Sequence, residues 1–256
     1  MFSLFVPCYN EEKCLEKNIK KIHSVLKEHQ KKNKKFGFEI IIVNDCSTDR
    51  TKEIADKLAE IKEIRAIHYT AKKPTRRENL IRSFKEAEGE VIGFTDADLS
   101  TDITDLPLLY NAVDDEKTIV IGDRYRKESI VKRSFKRYFI SKSLNYFTRI
   151  LFFDWSRPLN FGGGSRDHFC GFKAFHKKTI LHIIEYTGIG NRERGMWWDA
   201  EMIIYAERLG CWIKPIPVKW IEGKETKLRV KRELKMFLYM LKLWLRMKWM
   251  KSTKTG

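Results

Sequence analysis

Three short apolar runs, residues 3–6, 38–43 and 91–95, each break off into a cluster of polar and acidic residues. The clusters are Pro7-Cys8-Tyr9-Asn10-Glu11-Glu12, Asn44-Asp45-Cys46-Ser47-Thr48-Asp49 and Asp96-Ala97-Asp98-Leu99-Ser100. Short continuous apolar runs of this kind read as buried strands, and helical spacing fills the segments between them. Leu15, Ile19, Ile22 and Leu26 mark one helix within residues 13–31. A second, capped by Ser47 or Asp49, carries Ile54, Leu58 and Ile61. A strand over 64–69, helices over 78–87 and 103–113, and a strand over 119–122 continue the alternation. The expected fold is α/β, a mainly parallel twisted sheet flanked by helices. Ligands of such sheets lie beyond the carboxyl ends of the strands, so the three clusters are expected to share one rim.

The second half is less regular. Residues 133–153 read as one long basic helix, 170–175 as a strand, 199–209 as a helix, 212–220 as extended chain and 231–251 as a final helix. Between them, residues 154–168 contain Pro158 and Gly162-Gly163-Gly164 and read as a flexible flap. With 256 residues and 43% hydrophobic content the chain has ample core for one domain. Its net charge of +17 points to a polyanionic partner: nucleic acid, an anionic membrane surface or a phosphorylated substrate. Five scattered cysteines, none in a CxxC pair, suit a reducing compartment. The apolar run at the start is too short for a signal peptide, and no uncharged run is long enough to span a bilayer.

Two carboxylates one residue apart in an extended segment, Asp96 and Asp98, can approach one hard divalent cation, Mg2+ or Mn2+, that shares oxygen ligands with a diphosphate. The clusters, taken together, resemble the family 2 glycosyltransferases of GT-A fold, in the branch that makes dolichyl-phosphate glucose or mannose. That branch begins Pro-x-Tyr-Asn-Glu, as Pro7–Glu11 does, continues with a Val-Asp-Asp-Gly-Ser-x-Asp segment near residues 43–49, and has Asp-Ala-Asp-Leu at 96–99. Gly122-Asp123-Arg124-Tyr125, Cys170-Gly171-Phe172-Lys173 and Trp198-Asp199-Ala200-Glu201 follow in the same order. Departures are Asn44 for the first paired aspartate, Cys46 for the glycine, Ser100 where some relatives have an amide ligand, and the absence of a glycine-rich stretch at 72–79.

The resemblance implies a nucleotide-diphospho-sugar transferase fold over residues 1–228, with a donor-binding half (1–122) and an acceptor half (123–228). It implies that Pro7, Tyr9, Glu11, Asp45 and Asp96 line the donor nucleotide pocket, Asp45 reading the base, and that Asp96 and Asp98 hold the metal, Asp98 the more firmly. Arg124, Arg137, Ser141 and Lys173 would hold the acceptor phosphate. Asp98, Arg124, Arg137 and Asp199 are the expected catalytic set, with Asp199 or Glu201 available should a base be required. The implied reaction is inverting transfer of a hexose, UDP-glucose ahead of GDP-mannose, to dolichyl or polyprenyl phosphate.

Residues 223–256 carry 11 Lys/Arg against 2 Asp/Glu, and the large apolar residues Leu234, Phe237, Leu238, Leu241, Trp244 and Leu245 share a helical pattern with Lys231, Lys235, Lys242 and Arg246, with Trp249 beyond. Residues 229–256 are therefore expected to form a basic amphipathic helix and tail lying on a membrane. That places the protein peripherally on the cytoplasmic face, with a membrane-anchoring protein as a further partner. Two alternatives stand beside this reading: a family 2 transferase acting on a sugar hydroxyl, and an inactive basic module binding nucleic acid or membrane. Three carboxylates at the rim argue against nucleic acid as a partner.

Overall fold

The computed structural model describes residues 1–75, 77–152, 167–190, 194–222 and 230–252, the side chains of 230–236 and 249–252 excepted. In chain order the first half gives β1 (Phe2–Cys8), α1 (Leu15–Lys32), β2 (Phe38–Asp45), α2 (Thr51–Leu58), β3 (Ile64–Tyr69), α3 (Glu78–Ser83), β4 (Val91–Thr95) and α4 (Leu106–Asn111). The second gives β5 (Thr118–Asp123), β6 (Ile130–Lys132), α5 (Phe135–Leu151), β7 (Phe172–His176), α6 (Lys177–Thr187), α7 (Trp198–Arg208), β8 (Trp212–Pro217), β9 (Lys219–Ile221) and α8 (Val230–Ser252). The helices expected over 78–87 and 103–113 are each part 3-10: Phe84–Glu86 ends the first and Ile103–Asp105 begins the second. Helix α6 and strand β6 are additions to the expected set.

The main sheet runs β3-β2-β1-β4-β7-β5-β8, and β6 pairs with β9 in a small second sheet. Strands β3, β2, β1 and β4 are parallel neighbours, while β7 runs antiparallel to both β4 and β5. The sheet is thus mainly parallel with one reversed strand. The period-two alternation of the strands divides the core. Phe5, Ile41, Val43 and Phe94 face α3, α6 and α7, whereas Leu4, Val6, Ile40 and Ile42 face α1 and α4. Each such side chain, fully buried, contributes about 1.5–3 kcal/mol.

Helix α8 is not held apart from the domain. Tyr239, Met240, Leu243 and Met247 are buried in the same core layer as Phe5 and Trp198, and Phe237, Leu238 and Leu245 stay exposed on the other side. Arg246, expected on an outward basic stripe, instead donates to Glu201 Oε1 at 3.3 Å and to the Tyr205 hydroxyl at 3.4 Å. Leu234, Lys231, Lys235 and Trp249 lie outside the described side chains, as do Gly162–Gly164 outside the described residues. No described helix is long and apolar enough to cross a membrane.

Candidate active site

The loops after β1 and β2 are fastened to each other. Asn10 donates through its backbone to Ser47 Oγ (3.0 Å) and its Oδ1 accepts from the Thr48 amide (2.8 Å). The Arg50 amide donates to Glu12 Oε2, and the Glu12 amide to Asp49 Oδ2. Asp49 Oδ1 accepts from the Thr51 amide at the start of α2, while Ser47 serves the neighbouring loop instead of capping that helix. The third loop is tied to α1 by Asn18, whose amide group donates to the Ala97 carbonyl at 2.8 Å. The three clusters do converge on one rim.

Each loop also contains one non-glycine residue in left-handed backbone: Asn10 (φ 56°), Cys46 (φ 66°) and Leu99 (φ 51°). This conformation costs about 1–2 kcal/mol for a residue with a Cβ and persists where surroundings over-determine it. Cys46 occupies the position at which the family pattern has glycine. Its φ of 66° is one that glycine takes without a Cβ clash.

Beneath the rim lies a charged group that the sequence did not disclose. Arg77 is 2% exposed; its Nε donates to Asp199 Oδ2 at 3.1 Å, and Nη1 and Nη2 each donate to Asp96 Oδ1 at 3.2 Å. Its guanidinium also stacks 5.2 Å from the Phe94 ring centre. Burial alone would push Arg77 down, but Asp199 and then Asp96 hold it above its ordinary value. Lys173, fully buried on β7, lies with Nζ 3.7 Å from Asp199 Oδ1 and donates to the Cys170 carbonyl. Asp96 leans against Gly171: a Cβ there would meet Asp96 Oδ2 at 2.1 Å, so only glycine lets the carboxylate occupy this place. The segments 96–99 and 170–173 are thus two sides of one contact.

These bonds revise several expected roles. Asp199, 1% exposed between Arg77 and Lys173, is no base facing an acceptor; it positions Arg77 and through it Asp96. Glu201 is fully buried against Arg194 (3.1 Å), the Tyr239 hydroxyl and Arg246, and burial pushes its carboxyl up against their pull. It too is structural. Lys173 serves Asp199, and its Nζ is not presented to a phosphate. Asp98 is exposed, with Oδ1 and Oδ2 accepting from the Ser100 amide and hydroxyl at 2.9 Å each, so Ser100 supports Asp98 directly.

Asp45 is 3% exposed and accepts from the Thr75 amide (2.7 Å), the Thr75 hydroxyl (3.1 Å) and Asn79 Nδ2 (2.6 Å). A base N–H would have to share or displace those donors. Pro7 is half-buried and Tyr9 exposed at the same edge, and Glu11 accepts from the Cys14 thiol.

On the side expected to take the acceptor, Arg124 makes a two-pronged bond to buried Asp167 (Nε to Oδ2 2.6 Å, Nη2 to Oδ1 2.9 Å) and lies over the Trp220 ring. Its bidentate edge, expected for a phosphate, is occupied. Arg137 pairs with Glu222, which also accepts from the Ser134 amide at the start of α5. Ser141 Oγ is 2.6 Å from the Tyr125 hydroxyl. Beside these residues a cleft of about 500 Å³ is lined by Tyr125, Phe135, Tyr138, Phe139, Lys142 and Tyr146 among others. Phe135 (81%), Phe139 (64%) and Tyr146 (63%) project outward from α5.

Comparison with known proteins agrees with this architecture. Residues 3–181 match the family described as Glycosyl transferase family 2. A dolichyl-phosphate beta-glucosyltransferase of Trichomonas vaginalis is 32% identical over 94% of this chain and 72% of its own length. A dolichol-phosphate mannosyltransferase of Pyrococcus furiosus is 32% identical over 73% of this chain and 49% of its own. A mannosyltransferase of Pyrobaculum calidifontis, solved with GDP-Man and Mn2+, superposes with TM-score 0.54 over 88% of this chain and 57% of that one, at 18% identity. That last likeness bears on the fold alone, which is GT-A. Matched in sequence across most of its length and built around a rim of strand-end carboxylates, the chain is a glycosyltransferase and belongs to glycosyl transferase family 2.

Proposed function

We propose that this enzyme transfers glucose from UDP-glucose to the phosphate of a polyprenol at a membrane surface, with inversion at the anomeric carbon. What supports the acceptor and the sugar is the match to a dolichyl-phosphate beta-glucosyltransferase along most of both chains. The beta in that relative's name, set against the α-linked sugar of UDP-glucose, corresponds to inversion. The observation that carries the reading is the rim itself, where Asp96 and Asp98 stand at the end of β4 above Arg77.

The donor chemistry suits a divalent cation. No group of three or more His, Cys, Asp or Glu side chains forms a metal cage among the described residues. Mg2+ needs none when substrate phosphates supply the other oxygens, since one or two carboxylates suffice. Asp96 and Asp98, hard oxygen donors with exposed faces, would hold Mg2+ or Mn2+, which when bound offsets charge on the departing diphosphate. Pro7, Tyr9 and Glu11 edge the nucleotide pocket, and Asp45 reads the base while retaining part of its hold on Thr75 and Asn79.

A phosphate acceptor removes the need for a general base. Its oxygen is ionised near neutral pH and attacks the anomeric carbon in line, while the bond from that carbon to the diphosphate breaks; aim and screening are what the protein must supply. This accords with the burial of Asp199 and Glu201. Arg124 and Arg137 reach the phosphate by exchanging Asp167 and Glu222 for it, with Ser141 beside them. The outward rings of α5 and the exposed Phe237, Leu238 and Leu245 of α8 form the membrane-facing side, and the surplus of lysine and arginine meets anionic headgroups. Residues 1–228 together with the buried face of α8 form the catalytic unit, and the exposed face of α8 is its membrane-contacting element.

The test offers radiolabelled UDP-glucose and GDP-mannose, separately, to purified protein with polyprenyl phosphate and Mn2+. Label entering the organic phase from UDP-glucose alone is the expected result. Label from GDP-mannose alone reassigns the donor, and label passing only to water-soluble sugars overturns the lipid acceptor.

A further inference from the structure

Arg133 is a cation that the proposed reaction does not use. It lies just ahead of α5, with its guanidinium 5.1 Å from the ring centre of Tyr125 and 5.0 Å from that of Tyr138. Its Nε and Nη2 are both shut off from water and have no hydrogen-bond partner. These two nitrogens form one side of the guanidinium, and that side makes parallel bonds to two oxygens of one anion. The same edge grips both oxygens of one carboxylate elsewhere among the described residues, in Arg124 on Asp167 and in Arg194 on Glu78. Buried donors of this kind are almost always matched, so a charged edge without an acceptor marks the place of a missing anion.

The surroundings say which anion. Tyr125 and Tyr138, the two rings against which Arg133 rests, also line the apolar cleft along α5 together with Phe135, Phe139 and Tyr146. Tyr125 carries the contact to Ser141, and Tyr138 is the more accessible ring at 38% exposure, so entry runs past it. A cationic edge at the side of an apolar cleft suits a molecule with an anionic head and a hydrocarbon chain. We infer that Arg133 binds the phosphate of a phosphate monoester whose apolar chain lies in the α5 cleft. This rests on the lipid-phosphate reading above and adds to it a binding residue that the resemblance does not supply.

Titration of the full chain with citronellyl phosphate, citronellol and inorganic phosphate tests the assignment without any nucleotide sugar. The wild type is expected to bind the phosphate ester more tightly than either the alcohol or free phosphate. Arg133→Gln should weaken the ester by about tenfold or more, the loss of charge-assisted hydrogen bonds, and leave the alcohol unchanged. Arg133→Lys keeps the charge beside the rings but not the parallel pair of N–H groups, and should fall between the two. It also decides the matter if the Gln variant fails to unfold cooperatively. Ester binding by Arg133→Gln equal to wild type overturns the assignment; so does inorganic phosphate binding as tightly as the ester, which would make this a site for free phosphate. A chain that makes no lipid product yet binds the ester through Arg133 leaves the assignment standing and brings down the transfer reading instead.

Discussion

Arg77 is buried and bonded to two carboxylates, whereas Arg133 keeps a bare edge beside a helix whose Phe135 and Phe139 face outward. The two arginines typify the two halves of the site. Around the donor rim charge is met by charge: Arg77 with Asp96 and Asp199, and fully buried Arg194 with Glu78 (2.6 Å) and Glu201. Around α5 Arg124 and Arg137 are also paired, with Asp167 and Glu222, but the surface beside them is apolar and open and Arg133 keeps an unmatched edge. A small polar ligand requires fixed dipoles, which lose no energy to reorganisation when it arrives. On the proposed reading a lipid brings its own apolar surface and completes the open side beside α5.

The contrast can be broken by measurement. Arg77→Met leaves Asp199 buried with only Lys173 nearby, and removal of one partner from a buried ion pair should lower stability by about 3–5 kcal/mol in urea unfolding. A loss below about 1 kcal/mol would erase the distinction between the two halves.

Next in size is a pH effect beside α5. His168 is 4% exposed, and both its backbone N–H and its Nδ1 contact Asn145 Oδ1 of α5 (2.8 and 3.0 Å). Burial pushes the imidazole down from 6.5 to about 4. The unfolded chain therefore takes up the proton first as pH falls. Stability contributed by the neutral ring is whole above about 6.5 and is lost down to about 4, in total roughly 3 kcal/mol. Unfolding of His168→Gln should lack that part of the slope.

Cys46→Gly should raise stability by about 1 kcal/mol, because glycine takes φ 66° without a Cβ clash. Smallest of all, Phe139→Ser at 64% exposure should shift stability by under about 0.5 kcal/mol while reducing co-sedimentation with anionic vesicles. Unchanged vesicle binding would show that α5 does not face lipid.

Much of the donor half was legible because its information is local. Leu15, Ile19, Ile22 and Leu26 are the buried positions of α1, and the apolar runs before each acidic cluster are the inner strands. The ends of the strands then placed the clusters at one rim. Helix α6 could have been read from Ile180, Ile183, Ile184 and Thr187, which have helical spacing. The partners of the charges could not. Arg77 and Asp199 are 122 residues apart, Arg124 and Asp167 are 43, and only the fold brings each pair together. A matched motif names a residue without naming the neighbour that occupies it, which is why Asp199, Glu201 and Lys173 read as available groups and are in fact buried ion-pair members. The reversal of β7 was hidden for a related reason, since an apolar run does not state its direction.

The account stands on carboxylates at the end of β4 that hold the donor through a cation. Calorimetric titration of UDP with Mn2+ into wild type and into an Asp96→Asn, Asp98→Asn double variant tests this directly. Cation-dependent binding in the wild type and none in the variant, with vesicle binding the same in both, is the predicted result. Equal UDP affinity in the two proteins, or affinity indifferent to Mn2+, contradicts it.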